Sequence, residues 1–186
     1  RLSIPASPSM MIGRAAGFSV SAWVRVETAG QNAVLFSQQE GAKSIVLALE
    51  GGKLVAVVND GSVTLRSEPT VDLPLAVWHH VALTVEEGAL LYVNGQKVAE
   101  SPAICPDMTG DITLGRGFVG EVDELNLVNV ARSADWFRAA SMGQGLEAKL
   151  AVFGEEEGEE GGGEASYVGV SLQNVTVDVW VVSVFL

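Results

Sequence analysis

Cysteine, histidine and positive charge are all scarce in this chain. Cys105 is the one cysteine among 186 residues, which excludes an internal disulfide and any metal site built on thiolates. His79 and His80 are the only histidines. Adjacent residues on a strand point to opposite faces, so the two cannot share a metal or form a dyad, and structural roles at a strand start are expected. Eleven Lys and Arg stand against 23 Asp and Glu, for a net charge of −12. That balance excludes nucleic acid and anionic membrane surfaces as partners, since both demand basic patches. Half of the excess sits in one segment, at Glu155, Glu156, Glu157, Glu159, Glu160 and Glu164. The rest of the chain is only mildly acidic, so its charge carries no functional message. The chain has no initiating Met and opens on Arg1-Leu-Ser-Ile-Pro, already in strand phase. It reads as a fragment whose start lies upstream, and the lack of a signal sequence says nothing of compartment.

Valine and glycine dominate what is present, a balance that favours strands. Phe18, Val20, Ala22, Val24 and Val26 share one face of a strand; Ser19, Ser21, Trp23 and Arg25 share the other. Short strands follow at 34–37, 44–49, 54–58 and 63–66, with Glu50-Gly51-Gly52 and Asn59-Asp60-Gly61 as hairpin turns. From Trp78 to Ala99 the chain spells a meander: 81–85, 89–93 and 96–99, with Asn94-Gly95 as the strongest turn signal because both residues tolerate positive φ. Strands at 111–114 and 119–128 complete the set, a spacing that means a sandwich or barrel. One helix is expected over 133–142, with Ser133 as N-cap and Ala134, Phe137 and Ala140/Ser141 on one face. Residues 146–153 alternate once more.

The domain reading is a sandwich over 1–153, an acidic Gly/Glu linker over 154–174, and a hydrophobic segment over 175–186. The linker holds too little apolar surface in its Glu/Gly tract to build a core. The last segment fits either a buried strand or the start of a transmembrane helix with Trp180 as interfacial anchor; periodicity does not separate the two.

Three motifs in order carry a resemblance: Phe18-Ser-Val-Ser-Ala-Trp-Val; Trp78-His-His-Val-Ala with Leu91-Tyr-Val-Asn-Gly; and Gly120-Glu-Val-Asp-Glu-Leu-Asn-Leu followed by Ala131-Arg-Ser. Residues 1 to about 140 thereby resemble the laminin-G-like jelly rolls of the concanavalin A-like lectin/glucanase group. The resemblance implies an all-β fold of two antiparallel sheets and a binding function toward a glycan or a protein ligand. The stretch Gly163-Glu-Ala-Ser-Tyr-Val-Gly-Val, with Asn174-Val-Thr-Val-Asp-Val-Trp-Val-Val, resembles the approach to the first membrane helix of MotA/TolQ/ExbB-type proton channel proteins. That second resemblance implies a periplasmic module anchored to the bacterial inner membrane, with oligomerisation through the membrane part. A secreted lectin or adhesin is the competing reading. In a bacterial protein the Asn174-Val-Thr176 sequon has no meaning.

The glucanase branch of the group resembles Glu-x-Asp-x-x-Glu on a strand. Here Glu121-Val-Asp123 begins the pattern and Asn126 ends it, so the second carboxyl that retaining chemistry needs is absent. Alternation places Glu121, Asp123 and Leu125 on one face and Val122 and Glu124 on the other. No enzyme activity is expected. Calcium is the cofactor the family resemblance raises, with Asp60, Asp107 and Asp111 as hard oxygen donors in loops or at strand starts. For a ligand, Trp23 as a stacking platform with Arg25 and Ser21 is the candidate, and the favoured expectation is that a loop or the helix from Ser133 covers it.

Overall fold

A computed structural model describes residues 1–70 and 72–143. The expected linker, the terminal hydrophobic segment, the 146–153 strand and the Asn174 sequon lie outside the described residues. The rest is two antiparallel sheets face to face. The first has six strands in the order β1-β10-β3-β4-β5-β6, and the second has five, in the order β11-β2-β7-β8-β9. β1 (Leu2–Ile4) pairs with β10 (Asp111–Arg116), β10 with β3 (Ala33–Glu40), and β3 with β4 (Lys43–Glu50). β5 (Lys53–Asn59) and β6 (Thr64–Arg66) complete that sheet. The second sheet carries β2 (Phe18–Val26), the meander β7 (Trp78–Val85), β8 (Ala89–Val93) and β9 (Gln96–Ser101), and β11 (Gly120–Val128).

The alternation read on β2 is the packing observed. Phe18, Val20, Ala22, Val24 and Val26 are buried in the space between the sheets. They meet Val81, Leu83 and Val85 of β7 and Ile45, Leu47 and Leu49 of β4 in one apolar cluster. Phe18 stacks on Phe36 across that core at 5.4 Å. Burial of this kind contributes about 25 cal/mol per Å² of apolar surface and is what holds the two sheets together.

Three details go beyond the sequence expectation. β3 runs on through Gln38, Gln39 and Glu40, a polar end that reads as loop. Gln38 is buried there because its Nε2 donates to the Met10 carbonyl at 2.8 Å and the Gly110 carbonyl at 3.2 Å. The turn at Asn94-Gly95 has φ of 50° and 74° as expected. It also receives α1 (Ala134–Gly143): a Cβ on Gly95 would lie 2.7 Å from Arg138 Cα. α1 is capped by the Ser133 hydroxyl, which accepts the Trp136 N–H at 3.3 Å. Its Phe137, fully buried, packs against Ala82 and Tyr92 on the outer face of the five-stranded sheet.

The third detail corrects the facing of β11. Between Asp123 and Asn126 the pairing with β2 shifts by a bulge, and Glu124 takes a left-handed φ of 49°. A bulge inserts an extra residue and reverses the facing of every residue after it. Leu125 therefore joins Val122 and Leu127 against the core instead of sharing a face with Glu121 and Asp123.

Candidate functional site

The register defines the outer face of the five-stranded sheet. Residues of β2 that avoid the core lie opposite residues of β7 and β11 that do the same. Arg25 sits between Glu121 and Trp78, Trp23 between Asp123 and His80, and Ser21 between Asn126 and Ala82. α1 lies over the Ala82–Tyr92 part of this face, bringing Trp136. Trp23 and Trp78 are diagonal neighbours, a spacing within reach for aromatic side chains. Both are half-buried.

Charge on this face is paired locally. Arg25 Nη1 donates to Glu121 Oε2 at 2.9 Å, approaches Glu27 at 3.6 Å, and its Nε donates to the Ala76 carbonyl at 3.4 Å. Ala76 holds φ 56° in the loop that carries exposed Leu75 and Val77. Asp123 accepts the Glu124 N–H at 2.8 Å, tying its carboxylate to the adjoining backbone. Burial, with Asp123 beside it, raises the Glu124 carboxyl above its usual range, and Glu124 Oε2 is buried with no hydrogen-bond partner. The Trp23 and His80 rings meet at 5.5 Å edge to face, and Trp23 Nε1 and His80 Nδ1 are likewise buried without partners. Burial pushes His80 down to about 4, so it is neutral at physiological pH.

The two histidines do part to opposite faces: His80 opposes Trp23 on the outer side, while His79 opposes core-facing Val24. His79 is buried and lowered for that reason, with the Pro74 carbonyl working the other way. Its Nδ1 lies 3.3 Å from Asn94 Nδ2, and Asn94 Oδ1 accepts the His80 N–H at 2.9 Å. Cys105 is buried, its thiol pushed up to about 12 by desolvation and by the nearby Asp107. Such a thiol is inert.

The calcium candidates do not form a set. Asp60 Oδ1 accepts the Ser62 and Val63 N–H groups at 2.8 and 2.9 Å. Asp107 Oδ1 takes the Arg14 N–H at 2.7 Å, and Asp111 Oδ1 takes the Ala6 N–H at 2.8 Å. No three His, Cys, Asp or Glu side chains converge among the described residues. These aspartates fit loop-capping roles, and they do not fit a calcium ion.

A third feature is apolar. A cavity of about 40 Å³ lies between the sheets, under the edge formed by β1 and β11, lined by Leu2, Val20, Phe36, Leu114, Val122 and Leu125. Alternation puts Trp78, three residues before core-facing Val81, on the outer face, but only the β2–β7 register brings it beside Trp23. Glu124 could not have been found, since nothing in Asp-Glu-Leu-Asn announces a bulge.

Two antiparallel sheets packed face to face define a β-sandwich of the jelly-roll type. A family model described as the concanavalin A-like lectin/glucanases superfamily (laminin G type 3) matches residues 3–137, and the chain belongs to that family. Among solved structures it is similar to the binding domain of Paraclostridial Mosquitocidal Protein 1, at 18% identity and TM-score 0.62. The match covers 75% of this chain and 40% of that one, a likeness of fold. No curated protein matches the chain.

Proposed function

We propose that this chain is a non-catalytic, extracytoplasmic binding module that engages a glycan on the outer face of its five-stranded sheet. The observation that carries the reading is the Trp23–Trp78 diagonal beside Arg25, Glu121 and Asp123. Tryptophan faces stack on the apolar side of a pyranose, and charged neighbours bond its hydroxyls. Catalysis is disfavoured on the same strand. Retaining hydrolysis needs two carboxyls about 5–5.5 Å apart, one of them a free acid. Here Glu121 is held by Arg25, Asp123 by a backbone N–H, and Asn126 stands where the second glutamate belongs.

The module is further proposed to be carried by an inner-membrane assembly of the MotA/TolQ/ExbB type, facing the periplasm. This rests on the wording of residues 163–182 and on the acidic tract that precedes them. In that setting the sandwich presents a recognition surface and the tract gives it reach. Binding is tested with the full chain on a panel of soluble β-glucans and other oligosaccharides. Saturable binding that weakens at least tenfold in Trp23→Ala supports the reading; hydrolysis that vanishes in Glu121→Gln refutes it. The membrane attachment is tested by the coding sequence past Leu186. About ten further apolar residues and then Lys or Arg complete a span, and a polar continuation removes it.

A further inference from the structure

At the end of the sandwich opposite Arg25 and Trp78, four loops meet: residues 13–17, the β3–β4 turn, the β5–β6 turn at Asn59–Val63, and residues 105–108. Two basic side chains join them. Lys43 Nζ donates to the Asp107 carbonyl at 2.6 Å, and its Cγ lies 3.4 Å from where a side chain on Gly61 would begin. Arg14 donates its Nε to the Cys105 carbonyl at 3.3 Å while its main-chain N–H holds Asp107 Oδ1. The Asp60 carboxyl is held below its usual range by the Val63 and Ser62 N–H groups, and the Arg14 charge adds to them.

Carbonyls and carboxylates gathered from separate loops are the donors that a hard divalent cation collects. Here the positive charge among them is covalently attached. An ammonium 2.6 Å from the Asp107 carbonyl occupies the space a metal would need, and repels one. We infer that this rim is cross-linked by the chain's own cations, Lys43 and Arg14, and that the module holds its loops and its ligand without calcium. The part concerning ligand rests on the binding function proposed above; the part concerning the loops does not.

The test is the melting temperature of the full chain in millimolar calcium chloride and in EDTA, alongside Lys43→Met and Lys43→Arg. The wild type melts at the same temperature in both. Lys43→Met, which keeps the stem and loses the charge, melts about 2–4 °C lower, a loss suited to one partly exposed charge-assisted hydrogen bond. Lys43→Arg regains most of that loss. A saturable rise of the wild-type melting temperature with calcium overturns the inference, as does a Lys43→Met variant that melts with the wild type. Oligosaccharide binding measured in the same two buffers separates the two readings. Binding only with calcium contradicts this inference, whereas no binding in either contradicts the proposed glycan function and leaves the melting result to decide the rim.

Discussion

Removing the Phe137 ring tests how α1 is attached. Phe137 is fully buried, with its ring 4.8 Å from Tyr92 and 5.3 Å from Trp136, in a small cluster separate from the main core. Phe→Ala in a core costs about 3–5 kcal/mol, and a surface helix relaxes more than a core strand, which places Phe137→Ala near about 3 kcal/mol. For a domain of this size that lowers the melting temperature by about 6–12 °C. Gly95→Ala attacks the same contact from the other side, by putting a Cβ 2.7 Å from Arg138 Cα at φ 74°. Left-handed strain at a non-glycine residue costs about 1–2 kcal/mol before the clash is counted. Because both changes loosen the same helix, their sum overstates the double variant by about 1 kcal/mol. Urea unfolding of the full chain followed by tryptophan fluorescence measures all three. A Phe137→Ala loss below about 1 kcal/mol, or strict additivity with Gly95→Ala, refutes the docking described here.

Other consequences are simpler to read. The unfolded chain protonates its histidine near 6.5 and the folded chain holds His80 down to about 4, so stability falls as pH drops across that interval, by up to about 3 kcal/mol. His80→Phe flattens most of that slope and leaves the part due to His79; an unchanged slope in the unfolding free energy against pH contradicts it. Cys105, buried with its thiol pushed up to about 12, resists a disulfide reagent in the folded chain. It reacts at the rate of unfolding, and prompt labelling in buffer refutes that assignment. The cavity under the β1/β11 edge has room for a methyl group, so Val20→Ile raises stability by about 0.5–1 kcal/mol. A loss shows that the neighbouring side chains do not give way.

The strands are legible because each buries one face. Phe18 to Val26, the meander from Trp78 to Ala99 and the Asn94-Gly95 turn stand where a period of two and left-handed tolerance put them, with β9 running two residues further to Ser101. β3 reads short, since Gln38 looks like solvent until the Met10 and Gly110 carbonyls are brought to it by distant parts of the chain. β11 departs from its expected facing past Asp123 for a related reason. A bulge is fixed by the pairing with β2, and a single strand's alternation carries no trace of it. The site is legible in part: Trp23 and Arg25 follow from parity, while Trp78 enters only through the β2–β7 register. The roles of Asp60, Asp107 and Asp111 depend on which backbone N–H groups come to them, and for Asp107 and Asp111 those lie 93 and 105 residues away.

The central claim is recognition without chemistry. It is tested most directly by exposing the full chain, and its Trp23→Ala and Trp78→Ala variants, to an immobilised oligosaccharide panel while reducing ends are measured in the wash. The account predicts that the wild type retains a subset of glycans, that either variant loses that retention, and that no reducing ends are released. Release of reducing ends by the wild type, or equal retention by both variants, contradicts it.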